Sequence, residues 1–155
     1  MNRPKIPGFL VALMLAWPSA VSAHGLDILS GNALPVKAGE DTAVYLTIGN
    51  EAFHNERLIG ATSEIANKVE LHADRDGRMV PVNGIEIPLD DRIDMRQTGH
   101  HIMLIGTKSD LTVGSVLRLR LQFGKNRFQN LMVRVGKGGA PAAASPAPQG
   151  GGHGK

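Results

Sequence analysis

Val116-Leu117-Arg118-Leu119-Arg120-Leu121-Gln122-Phe123 alternates apolar and polar side chains from Leu117 to Phe123. Side chains along a strand point to opposite faces in turn, so Leu117, Leu119, Leu121 and Phe123 face a core while Arg118, Arg120 and Gln122 face solvent. Ala43–Ile48 repeats the pattern with Val44, Leu46 and Ile48 inward, and Leu131, Val133 and Val135 repeat it in a final strand. Shorter apolar runs at 58–61, 68–72, 79–82, 92–95 and 101–105 lie between Gly, Asp, Asn and Pro clusters. The best local turn is Asp74-Arg75-Asp76-Gly77, whose Asp-Gly pair favours a tight reversal between strands. No stretch beyond residue 23 carries a helical period over three turns, and Thr62–Ala66 offers one short turn at most. The pattern predicts an all-β fold, an antiparallel β-sandwich or barrel.

Outward from these strands the chain divides into three. Residues 1–23 begin with Arg3 and Lys5, continue with an apolar stretch from Gly8 to Trp17 and end on Val21-Ser22-Ala23. That is the pattern of a cleavable secretory signal, too short to span a bilayer. Residues 24–135 form the single globular body. Residues 136–155, GKGGAPAAASPAPQGGGHGK, hold nothing large to bury and are expected to be a disordered tail. The expected mature protein is exported to the periplasm and inserts no segment into a membrane.

Composition narrows the function. The 155 residues include no cysteine, which excludes a disulfide scaffold, a zinc-thiolate site and a cysteine nucleophile. The formal charge of +3 falls to +1 once Arg3 and Lys5 leave with the signal, so a basic nucleic-acid surface loses its support. No Ser/His/Asp or paired-carboxylate arrangement stands out as a hydrolytic site. Six histidines and six methionines carry the remaining chemistry.

His101-Ile102-Met103 places an imidazole and a thioether on one face of a strand. His72 ends one strand and Met79 opens the next across the Asp76-Gly77 reversal. If that hairpin meets the strand of His101 and Met103, two imidazoles and two thioethers converge. Thioether sulfur is soft and uncharged, so such a set selects Cu(I) over zinc and other dications. Taken singly, a strand methionine is more often a core filler than a ligand. His100 falls on the opposite face, Met95 and Met132 read as packing, and His54 reads as a loop residue. His153, mobile in the tail, is a candidate additional donor by tethering. His24 becomes the N-terminal residue if cleavage follows Ala23, and its amine and imidazole together then offer a Cu(II) chelate.

The run Val69-Glu70-Leu71-His72, then Met79-Val80-Pro81-Val82-Asn83-Gly84-Ile85-Glu86-Ile87-Pro88, then Gly99-His100-His101-Ile102-Met103-Leu104-Ile105-Gly106 resembles the PCuAC periplasmic copper chaperones. Between Met79 and His101 stand 21 residues, the family's interval before His-x-Met. Ala43–Asn50 and Glu56–Ala61 match further elements, so the resemblance covers roughly residues 41–135. It implies a cupredoxin-like β-sandwich that holds Cu(I) near its surface through His72, Met79, His101 and Met103. It also implies delivery of copper to an acceptor such as the copper centre of a cytochrome oxidase subunit, sometimes with a thiol-bearing partner chaperone; the protein itself is expected to be a monomer. Ala73 stands where the family often has a second methionine, and the interval from His72 to Met79 is shorter than the family's. The shortened hairpin changes where His72 points and ranks it last of the four.

A metallochaperone, rather than an enzyme, is thus the expected function. Two alternatives remain at this level: a periplasmic copper storage or resistance protein with similar ligands, and a histidine-brace copper enzyme that uses His24.

Overall fold

The structure is a computed structural model that describes residues 25–138 and 145–146. The signal-like segment, His24 and His153 lie outside the described residues, as does the tail apart from 136–138 and Ser145–Pro146.

Eleven strands follow one another along the chain: β1 (Leu26–Ala33), β2 (Thr42–Asn50), β3 (Glu56–Thr62), β4 (Ala66–Arg75), β5 (Arg78–Pro81), β6 (Ile85–Ile87), β7 (Asp91–Asp94), β8 (His100–Thr107), β9 (Val116–Phe123), β10 (Arg127–Val135) and β11 (Ser145–Pro146). Their order in space is β5-β4-β8-β2-β1-β10-β9-β3-β6, with β7 also on β2 and β11 on β10. One sheet therefore curls over on itself as a cupredoxin-like β-sandwich, with β1 passing between the layers. Every pairing among the described strands is antiparallel except the short parallel contact of β1 with β10 at Asn32↔Arg134 and Ala33↔Val135. Among the described residues no helix is long and apolar enough to cross a membrane.

Alternation explains why the layers close. In β9 the buried residues are Leu117, Leu119, Leu121 and Phe123, as the sequence predicts, and all four lie in the core. Val44, Leu46 and Ile48 of β2, Ile102 and Leu104 of β8, and Leu131, Val133 and Val135 of β10 meet them there. Removing most of one such side chain, as in Leu→Ala, typically costs about 2–5 kcal/mol. That one-sided burial also fixes register, because a slip of one residue would turn each apolar set to the other face.

Two connections bring the candidate ligands into position. The β4–β5 hairpin turns on Asp76 (φ 54°) and Gly77 (φ 75°), the left-handed pair that a two-residue reversal requires. It pairs Asp74 with Met79 and His72 with Pro81. Between β7 and β8 the chain makes a compact turn at 94–98, in which the N–H groups of Gln97 and Thr98 donate to the Asp94 carbonyl at 3.0 Å each. Gly99 (φ 71°) follows, and a Cβ there would lie 3.2 Å from the Cβ of Asp74. The turn and the hairpin thus approach each other closely.

Candidate metal centre

β4 and β8 run side by side, and their register pairs His72 with His101 and Glu70 with Met103. Paired residues share a face, as do residues two apart on one strand. His72, Glu70, His101 and Met103 are therefore together on one face, while Leu71, Ile102 and Leu104 fill the core on the other. β2 extends the same face, since Ala43 pairs with Met103 and Tyr45 stands two residues along.

The two imidazoles lie edge to face with ring centres 5.2 Å apart, and the Tyr45 ring sits 5.9 Å from that of His101. His101 is 2% exposed and His72 9%, although they project from the side of the sheet away from the core. Each has a buried Nδ1 with no hydrogen-bond partner. An unpartnered buried nitrogen costs about 1–3 kcal/mol of desolvation, and here two occur on adjacent rings. An imidazole nitrogen of this kind is a candidate metal donor. With a metal–nitrogen bond of about 2 Å, two imidazoles on one ion at a tetrahedral angle have ring centres about 5 Å apart.

The chemistry around His72 sets its tautomer. Its Nε2–H donates to Glu70 Oε2 at 2.9 Å, and Lys68 Nζ holds the other oxygen of the same carboxylate. An ionised carboxylate accepts only, so Nε2 carries a proton, and the neutral form of this imidazole has its lone pair on Nδ1. Hydrogen bonds from Lys68 and His72 hold the Glu70 carboxyl below the ordinary carboxylate range, which keeps it ionised. This is the arrangement by which an outer carboxylate orients a metal-binding imidazole. Burial pushes the His101 pKa down from 6.5, with the neighbouring His72 and His100 adding to the effect. His101 is thus neutral, the form that can bind a metal, at pH 7.

Met103 is half-buried, two residues from His101 and diagonal to His72 across the ladder. That diagonal is within reach of a long side chain. Met79 shares the face through its pairing with Asp74, but it lies at the hairpin end and is 52% exposed. Counting strand spacings and residues along the ladder, its Cα stands roughly 16 Å from that of Met103. Two thioethers cannot meet on one ion across that gap without movement of the hairpin. Of the four residues expected from sequence, the fold brings together His72, His101 and Met103 and leaves Met79 apart.

The remaining histidines and methionines are spread over the fold. His100 turns to the opposite face from His101, and its Nδ1 is 2.9 Å from Thr98 Oγ1. Met95 is fully buried in the core, and Met132 pairs with Arg118 in the other layer. His54 pairs with Glu56 at 3.0 Å. Among the described residues no three or more His, Cys, Asp or Glu side chains form a metal-binding group, so a site here depends on a thioether as well as the two imidazoles.

Glu70 and Tyr45 are the neighbours that reading by residue type alone passes over. For Glu70 a signal existed: Lys68, Glu70 and His72 alternate on one strand and must share a face.

Comparison with known proteins agrees with this architecture. Residues 13–135 match the family model described as "Putative lipoprotein LpqE-like". A curated relative from Leifsonia xyli subsp. xyli (strain CTCB07), "Putative lipoprotein Lxx21020", is 27% identical over 99 residues, or 61% of this chain. The match spans 60% of that relative's length. Among solved structures, the Cu(I) form of DR1885 from Deinococcus radiodurans is 26% identical with a TM-score of 0.60, covering 76% of this chain and 84% of that one. The copper-bound PCuAC domain from PmoF2 is 23% identical with a TM-score of 0.62, covering 74% and 95%. The apo PCuAC domain from PmoF1 is 18% identical with the same score, covering 71% and 92%. With the fold of the PCuAC domains and a family match running from residue 13 to the end of β10, the chain belongs to the LpqE-like family.

Proposed function

We propose that this protein binds Cu(I) between His72 and His101, with Met103 as a third donor, and passes it to a copper-accepting protein outside the cytoplasm. The observation that carries the reading is the pair of buried Nδ1 atoms without partners, on rings 5.2 Å apart beside a methionine on the same face. All three donors are neutral and one is soft, which favours Cu(I) over zinc or copper(II). Likeness to the Cu(I) form of DR1885 supports the choice of metal.

Copper is cargo in this account, so no turnover is required of the protein. A three-donor set leaves room for a ligand from the acceptor to join before the donors leave. Thioether bonds are individually weak, which lets them be exchanged one at a time. In this reading Met79, exposed at the hairpin end, joins such an exchange only when the hairpin moves towards the ladder. The acceptor proposed is the copper centre of a cytochrome oxidase, reached directly or through a thiol-bearing chaperone. The signal-like residues 1–23 and the lipoprotein description of the family support export to the periplasm.

X-ray absorption of the Cu(I)-loaded protein tests the reading. Shells of nitrogen and sulfur, with nitrogen contributing about two donors, are expected. A shell without sulfur, or zinc binding as tightly as Cu(I), would sink it.

A further inference from the structure

We propose that Arg96 biases the oxidation state this site accepts: a guanidinium stacked on Tyr45, the ring next to His101, disfavours Cu(II) against Cu(I). The inference rests on the copper reading above and concerns what that site excludes.

Arg96 lies in the turn between β7 and β8. Its backbone N–H donates to Asp94 Oδ1 at 3.0 Å, and the preceding Met95 N–H donates to the Leu46 carbonyl at 3.0 Å. These bonds hold the turn against β2, and the Arg96 side chain crosses the Tyr45 ring with its guanidinium carbon 4.2 Å from the ring centre. Tyr45 in turn is 5.9 Å from His101, so the charge lies no more than about 10 Å from that imidazole.

Among the described residues no carboxylate forms a direct ion pair with this charge. Nε and Nη2 of Arg96 are buried without hydrogen-bond partners, and among the described residues the guanidinium forms no ion pair. The carboxylates of Asp94, in the same turn, and of Asp74, two residues from His72, accept backbone N–H groups and add their own charges around the site. On the far side of the imidazoles, Lys68 and Glu70 form a pair and cancel to first order. His100 is pushed towards its neutral form by burial. The side chain is half-buried, so solvent screens part of its charge, and the stack on the Tyr45 ring holds the guanidinium in place. Whatever the sum of these surrounding charges, Arg96 contributes one positive charge within about 10 Å of a site whose proposed donors are all neutral, and that contribution is what its replacement removes.

Cu(II) carries one more unit of charge than Cu(I). At about 10 Å, with an effective dielectric between 20 and 80, that extra unit is disfavoured by about 2- to 20-fold. The discrimination adds to the preference of thioether sulfur for Cu(I), and unlike that preference it disappears when the arginine's charge is removed.

The test measures Cu(I) and Cu(II) affinities by competition with chelators selective for each ion. It compares the protein with Arg96→Met, Arg96→Gln and Arg96→Lys variants, all carrying His24→Ala so that no imidazole at a processed N-terminus takes up Cu(II). Arg96→Met and Arg96→Gln should raise the Cu(II):Cu(I) affinity ratio by about 2- to 20-fold, while Arg96→Lys leaves it near the parent value. Two charge-removing variants are included so that a folding failure in one leaves the comparison intact. An unchanged ratio in a folded variant that still binds Cu(I) overturns the role of Arg96 alone. An equal shift in Arg96→Lys does the same, because it would make shape rather than charge the cause. A parent protein that binds no Cu(I), or whose Cu(I) affinity ignores His101→Leu, overturns the copper reading and this inference with it.

Discussion

The β4–β8 ladder and the β4–β5 hairpin each offer a histidine or methionine to the same face of the sheet, and only the ladder brings candidate ligands together. On the ladder, Leu71 and Ile102 are locked into the core, so the register that puts His72 opposite His101 is held by burial on the reverse face. In the hairpin, the turn at Asp76-Gly77 fixes register instead and puts Met79 opposite Asp74. Sharing a face is therefore not sufficient for two ligands to meet. Position along the strand decides it, and a short turn keeps Met79 at the tip where a longer loop would let it fold back.

The comparison breaks most visibly at His101. His101→Leu removes a donor from the ladder, and Cu(I) affinity measured against a Cu(I)-selective chelator should fall by about 100-fold or more. The apo fold should survive, because a buried nitrogen without a partner is replaced by carbon. Next comes the contrast between the two methionines. Met103→Leu should cost about 10- to 100-fold in Cu(I) affinity with little change in folding, and Met79→Leu less than about 3-fold. Equal losses would mean that the hairpin closes over the ion, and the distinction between ladder and hairpin would fail. Met132→Leu, in the other layer, should cost nothing.

Glu70→Gln tests how the ladder orients its imidazole. Glutamine can still accept from Nε2, but it no longer supplies the negative charge that fixes the proton there. A loss of about 10-fold in Cu(I) affinity is expected.

Much of this organisation is legible in the sequence, and the exceptions have physical causes. The β9 alternation identifies the core face residue by residue, and Asp76-Gly77 marks the hairpin. β1 is not legible, because a register shift between Ile28 and Ser30 breaks its alternation. The 21-residue interval from Met79 to His101 matches a copper-chaperone pattern, yet an interval does not state how far apart its ends lie once two strands and a turn are folded between them. His72 ranks last from sequence because its hairpin is short. In the fold it sits opposite His101, since its position depends on β8 and not on the hairpin. Tyr45 and Arg96 come together across strands whose adjacency only the topology supplies.

Acid should separate the regions more gently. The His101 pKa is lowered in the fold, so the unfolded chain binds the proton first as pH falls. The stability contribution of neutral His101 is full above pH 6.5, its unfolded value, and is lost as pH drops through the lower folded value. Urea midpoints followed from about pH 7.5 to 5 should therefore decline more in the parent than in His101→Leu. The smallest expected effect lies in the turn: Gly77→Ala strains a positive φ and should destabilise by roughly 1 kcal/mol while leaving Cu(I) affinity nearly unchanged.

The central claim is that copper is held by the Nδ1 atoms of His72 and His101. Cu(I) is diamagnetic, so long-range ¹H–¹⁵N spectra of the histidine rings can follow each nitrogen as the metal is added. The account predicts that one equivalent of Cu(I) shifts Nδ1 of both residues, with Nε2 of His72 remaining protonated against Glu70, and leaves His54 and His100 in place. Shifts confined to other histidines, or metal binding through Nε2 of His72 with loss of the Glu70 hydrogen bond, would contradict it.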